Sequence, residues 1–208
     1  MKQNLIQICN ENFWIKKLAF WTEILFNVSI STEYFKIPSF DTDDLIFELT
    51  GKTPRQIYTE LGEEGFKDAE KSACIELKNR LEKIQQTENS KKYIAVAATG
   101  GGICNNAEAI KILSEIGILV FLNADERTAA NRIVKEVKID VDGKLFNLPA
   151  YIAKENPRTI SDVRESFHKF YVERQKIYRS ICNICVDMKN APKSENRDSI
   201  IESLSKTE

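Results

Sequence analysis

Short apolar runs alternate with longer amphipathic stretches along this chain. Residues 4–9, 93–99, 118–122 and 184–188 are continuous enough in apolar character to be buried strands. Between them the apolar positions recur at helical spacing. Phe13, Phe20 and Ile24 share a stripe with Lys17, beside Trp14, Leu18, Trp21 and Leu25, which predicts a helix over 13–26 capped by Asn12. Leu45, Ile46 and Leu49 suit the buried face of a short helix. Phe66, Ala69, Ala73, Leu77, Leu81 and Ile84 make the stripe of a longer one over 66–84, and Val163, Phe167, Phe170, Tyr171, Ile177 and Tyr178 that of another over 161–180.

Glycine and proline punctuate this pattern. Pro54 suits a first helical turn with Thr53 as its cap, and Gly62 and Gly65 separate a helix over 56–61 from the one over 66–84. Helices are expected over 106–116, with Gly117 as the stop, and over 125–137. Residues 85–92 read as a polar loop. Residues 137–157, with the turn-like Asp142-Gly143-Lys144, have little clear period and are expected to form a lid or a surface excursion. A strand over 36–40 would carry Asp41 and Asp43 to its carboxyl end, the ligand-binding edge of an open α/β sheet. Strands alternating with helices predict a three-layer α/β/α architecture on a mainly parallel sheet of about five strands. One domain over 1–190 is expected, followed by a charged tail over 191–208 in which Ile200, Ile201 and Leu204 suit a short helix.

Composition narrows the function classes. The chain has 208 residues, 42% hydrophobic, enough for one domain with a substantial core. Thirty basic against 31 acidic side chains give a net charge of −1, which argues against a nonspecific nucleic-acid binder or an adherent of anionic membranes. No apolar run approaches a membrane span, and the first residues lack the apolar core of a secretory signal, so a cytoplasmic location is expected. Five scattered cysteines fit reduced thiols, the Cys182-x-x-Cys185 pair included. His168, the single histidine, has no recognisable catalytic partner in the sequence and fits a surface or packing role.

Three groups of residues point to chemistry. Asp41-Thr42-Asp43 follows the strand over 36–40; Gly62-Glu63-x-x-Phe66-Lys67 leads into a helix that carries Glu70; and Gly100, Gly101 and Gly102 follow the strand that ends at Thr99. In this order and at these separations the motifs resemble those of the shikimate kinase family, over residues 40–188. The resemblance implies a nucleoside-monophosphate-kinase-like fold and transfer of the γ-phosphate of Mg-ATP to a hydroxyl of shikimate or a similar polyol. It implies that Asp41 lies near the magnesium ion and the reacting groups and that Asp43 grips substrate hydroxyls. Lys67, Gly100, Gly101, Gly102 and Arg174 would bind substrate, with Lys67 and Arg174 facing its carboxylate and Glu70 helping to orient the site.

Three departures accompany the resemblance. A phosphate-binding loop needs glycines whose amides curl around an anion, and no glycine precedes Gly51. The stretch after Cys9 offers Lys16 and Lys17 as cations and a helix N-terminus as an anion site. Gly51-Lys52-Thr53 spells the end of such a loop but follows a helix, with Ile46 where the first glycine belongs. Lys67 stands where the family has arginine, losing the bidentate fork, and Leu148 stands before Pro149 where the family commonly has arginine, leaving Lys144, Lys154 and Arg158 to supply positive charge. Two functions remain open: an active kinase, and an inactive relative that uses the same pocket for ligand sensing or protein interaction. A reading-frame change ahead of Phe40 is a further account of the glycine-free stretch.

Overall fold

The computed structural model describes residues 3–9, 36–87 and 93–206. The helix expected over 13–26, its Asn12 cap, and Lys16 and Lys17 lie outside the described residues. In chain order the elements are β1 (Gln3–Cys9), β2 (Ser39–Asp41), α1 (Thr42–Thr50), α2 (Pro54–Thr87), β3 (Tyr93–Ala98), a 3-10 turn (Ile103–Asn105), α3 (Ala107–Ile116), β4 (Gly117–Asn123), α4 (Glu126–Glu136), β5 (Lys138–Ile139), β6 (Leu145–Phe146), α5 (Ala150–Ala153), α6 (Ile160–Ile181), β7 (Ile184–Asp187) and α7 (Lys193–Ser205).

Five strands form one parallel sheet in the order β2-β3-β1-β4-β7. Period-two alternation divides its side chains between two cores. Ala95 and Ala97 of β3 and Leu119 and Phe121 of β4 face α1, α2 and α3, packing with Leu45, Ile46, Leu77 and Leu113. Val96, Ala98, Val120 and Leu122 face the opposite way, where Ile200 and Leu204 of α7 close the second layer. Both faces are therefore covered, as a parallel sheet requires. Asp41 pairs with Ala98 at the carboxyl ends of β2 and β3, which sets the acidic motif directly beside the glycine run.

Local chemistry accounts for the helix boundaries. Asp41 caps α1 by accepting from the Asp43 amide at 2.7 Å, and Gly51 ends it in a left-handed conformation. Gly51-Lys52-Thr53 is thus a helix–helix link, with Lys52 ion-paired to Glu60 and Thr53 capping α2. Thr159 and Asp162 form a reciprocal capping box at the start of α6. The two helices expected over 56–61 and 66–84 run as one element, kinked where Gly62 adopts φ 72° and ψ −165°. Only glycine occupies this region without strain, so Gly62→Ala is expected to lower stability by about 1–3 kcal/mol, measured by urea unfolding. Gly117 is extended rather than left-handed, so α3 passes straight into β4.

Residues 137–157 hold more structure than their sequence pattern suggests. β5 and β6 pair as an antiparallel hairpin. Leu145 and Ile152 pack with Ala129, Ala130 and Ile133 of α4 and with Val163 and Phe167 of α6, in a third apolar cluster. This small core anchors the hairpin and α5 against α6, and so places Tyr151 and Lys154 over the face of α6 that carries Arg174.

Candidate active site

The site forms at the carboxyl edge of the sheet, between the kinked part of α2 and the middle of α6. A cavity of about 150 Å³ is lined there by Phe66, Lys67, Glu70, Gly102, Tyr151 and Arg174, among others. Arg174 forms its base, only 6% exposed. The guanidinium carbon lies 4.9 Å from the Tyr151 ring centroid and 5.8 Å from that of Phe170, so two aromatic faces hold the cation. One turn later Tyr178 stacks on Phe121 at 4.9 Å and donates its hydroxyl to the Gly101 carbonyl at 2.8 Å. That hydrogen bond joins α6 to the glycine run, and a Cβ at Gly102 would sit 3.9 Å from Arg174 Nη2.

Glu70 is buried on the opposite wall. Asn106 donates its Nδ2 to Glu70 Oε2 at 3.1 Å and to the Lys67 carbonyl at 2.8 Å, while its Oδ1 caps α3. Burial pushes the Glu70 carboxyl up from 4.5 to about 7, against the pull of Asn106, Arg174 and Lys67. Asp41 and Asp43 lie next to this wall rather than in the cavity. A Cβ at Gly100 would sit 3.6 Å from Asp43 Oδ1, and the charge of Glu70 reaches Asp43. Burial raises Asp41 to about 6. Asp43 is held well above the usual carboxylate range, first by burial and then by the charges of Asp41 and Glu70. Three carboxyls held up in this way form an environment that favours a cation or a donor of hydrogen bonds.

Lys67 enters the cavity wall, but its Nζ lies 3.2 Å from both Glu63 and Glu64 of its own helix. Lys154, in the turn after α5, reaches Glu63 at 3.2 Å and lies 5.3 Å from the Tyr58 ring centroid. The structure thus brings Lys67, Gly102 and Arg174 into one cavity, with Asp41, Asp43 and Gly100 beside it and Gly101 turned toward Tyr178. Asn106 and Tyr178 were not legible as site residues. Asn106 shows in the sequence only as the first residue of the helix expected over 106–116, and Tyr178 only as part of an apolar stripe. His168 pairs with Glu126 on the surface, and burial raises the thiols of Cys182 and Cys185.

The family model described as "Shikimate kinase" matches residues 30–205. The chain belongs to the shikimate kinase family. A shikimate kinase of Clostridium beijerinckii is 30% identical over 156 residues, 75% of this chain and 71% of that one. One from Francisella tularensis subsp. novicida is 26% identical over the same length, covering 75% and 73%. One from Caulobacter vibrioides is 26% identical over 139 residues, and this match spans 59% of its length. Among solved structures, shikimate kinase from Acinetobacter baumannii in complex with shikimate superposes with a TM-score of 0.69 at 18% identity, covering 99% of this chain and 95% of that one. The enzyme from Aquifex aeolicus gives 0.62 at 20% identity, covering 98% and 96%. These likenesses establish the shikimate kinase fold, a nucleoside-monophosphate-kinase-like α/β architecture. Among the described residues no helix is long and apolar enough to cross a membrane.

Proposed function

We propose that this chain transfers the γ-phosphate of ATP to a hydroxyl of shikimate, in the cytoplasm. The observation that carries the reading is convergence: Asp43, Lys67, Glu70, Gly100, Gly102 and Arg174 come from four separated stretches and meet at one edge of the sheet. The substrate ring would lie in the cavity with its carboxylate toward Arg174, a cation already oriented by two aromatic rings and therefore with little reorganisation left on binding. Asp43 would accept hydrogen bonds from ring hydroxyls, and the backbone of Gly100–Gly102 would border the ring edge.

The donor set suits magnesium. Mg²⁺ binds through one or two carboxylates together with substrate phosphates, rather than in a cage of protein ligands. Among the described residues no cluster of three or more His, Cys, Asp and Glu is placed to hold a metal, while Asp41 with Asp43 nearby offers the hard oxygens required. Asp41 would hold the ion, whose chemistry when bound is to neutralise charge on the transferring phosphoryl group. The test is ADP release by the purified chain with Mg-ATP. Release that depends on shikimate supports the reading, and a folded sample that releases none refutes it.

A second reading is favoured by one observation, the lack of any glycine before Gly51. It is a relative that binds shikimate without turnover. Saturable shikimate binding without ADP release distinguishes it from the kinase.

A further inference from the structure

Among the described residues three cations, Lys67, Lys154 and Arg174, border the cavity, and they differ in how tightly their charge is committed. Arg174 is fixed at the base. Lys67 sits between two carboxylates of its own helix, Glu63 and Glu64, both at 3.2 Å. Lys154 differs from both. It projects from the turn after α5, three residues beyond the Tyr151 ring that covers Arg174, and among the described residues it pairs with Glu63, which also lines the cavity, and hydrogen-bonds the Tyr58 side chain.

We propose, on the basis of the shikimate-type reading of the site, that Lys154 is a substrate-binding residue that exchanges Glu63 for the substrate's carboxylate and holds it together with Arg174. Three features lead there. The Lys154–Glu63 pair is half-exposed, with 56% and 51% of the side chains accessible, and such pairs contribute little to stability, so exchanging one for a ligand carboxylate costs little. Glu63 also bonds Lys67, so it keeps a cationic partner when Lys154 turns away. The Tyr58 ring under Lys154 meets Phe66 edge-on with centroids 6.2 Å apart, giving the wall between Lys154 and the cavity an apolar face suited to a carbon ring. Lysine binds a carboxylate as a point charge on a long stem, so it complements the planar Arg174 without requiring fork geometry. Specificity for an anionic ring would then rest on α6 through Arg174 and on the turn after α5 through Lys154, with Lys67 acting mainly to hold Glu63.

The test is titration calorimetry with shikimate and with its primary-alcohol analogue, in which –CH2OH replaces the carboxylate. Lys154→Ala is expected to weaken shikimate binding about tenfold, in the range of one charge-assisted hydrogen bond at a partly exposed position, and to leave binding of the alcohol unchanged. Lys154→Arg should bind shikimate within about threefold of the unaltered protein, because charge and reach are kept. The proposal is overturned if Lys154→Ala binds shikimate as the unaltered protein does, or if it weakens both ligands equally, which would make Lys154 a structural tie for α5. An unaltered protein that binds neither ligand refutes the shikimate reading itself, and the proposal with it.

Discussion

Asp43→Asn is expected to abolish most turnover while leaving the ligand-free fold at least as stable as before. The carboxyl sits beside Gly100, close enough to Asp41 and Glu70 for all three charges to repel, and its pKa is driven well above the usual carboxylate range. Asparagine keeps the shape and removes one of those charges, so it relieves Asp41 and Glu70. The substrate loses a charged acceptor for its hydroxyls. Each hydrogen bond to a charged group contributes about 1.5–3 kcal/mol, so loss of one lowers kcat/KM by roughly 10- to 150-fold, and loss of two by more. Steady-state kinetics with varied shikimate, alongside circular dichroism, measures both effects. Unchanged kcat/KM would remove Asp43 from the substrate site.

Glu70→Gln is expected to stabilise the ligand-free protein by about 3 kcal/mol at pH 8, the second large effect. The folded-state carboxyl titrates at about 7 against 4.5 in the unfolded chain, and each unit corresponds to about 1.36 kcal/mol. Below about pH 4.5 the group is protonated in both states and imposes no penalty. As pH rises from 4.5 to 7 the folded state binds the extra proton, so stability falls with pH, and above about 7 the full penalty persists. Glutamine removes that penalty and retains an oxygen to accept from Asn106, so the gain should grow across this window and remain constant above it. Urea unfolding of both proteins at pH 4.5 and pH 8 reads it directly. The same variant should lose activity, which would mark Glu70 as a residue kept for function at a cost in stability.

Much of this architecture was legible because the signals were local and periodic. The apolar runs of β3 and β4 are buried along their length, as continuous hydrophobic strands of a parallel sheet should be. Pro54 and Thr53 marked a helix start through first-turn and capping chemistry that needs no tertiary context. Membership of the shikimate kinase family followed from motif order. The kink in α2 was visible as glycines but not as one continuous element, because whether a glycine breaks a helix or bends it depends on what packs on either side. The hairpin of residues 137–157 lacked a signal because its strands are two residues long. The roles of Asn106 and Tyr178 depend on contacts 36 and 77 residues away in sequence, which no local pattern encodes.

The direct test of the central claim is the product. Mg-ATP and shikimate incubated with the chain should yield shikimate carrying one added phosphoryl group, detected by mass spectrometry, and the Asp43→Asn variant should yield little. ATP hydrolysed to ADP and inorganic phosphate with no phosphorylated shikimate, or no ATP consumed by a folded sample, would contradict the kinase account.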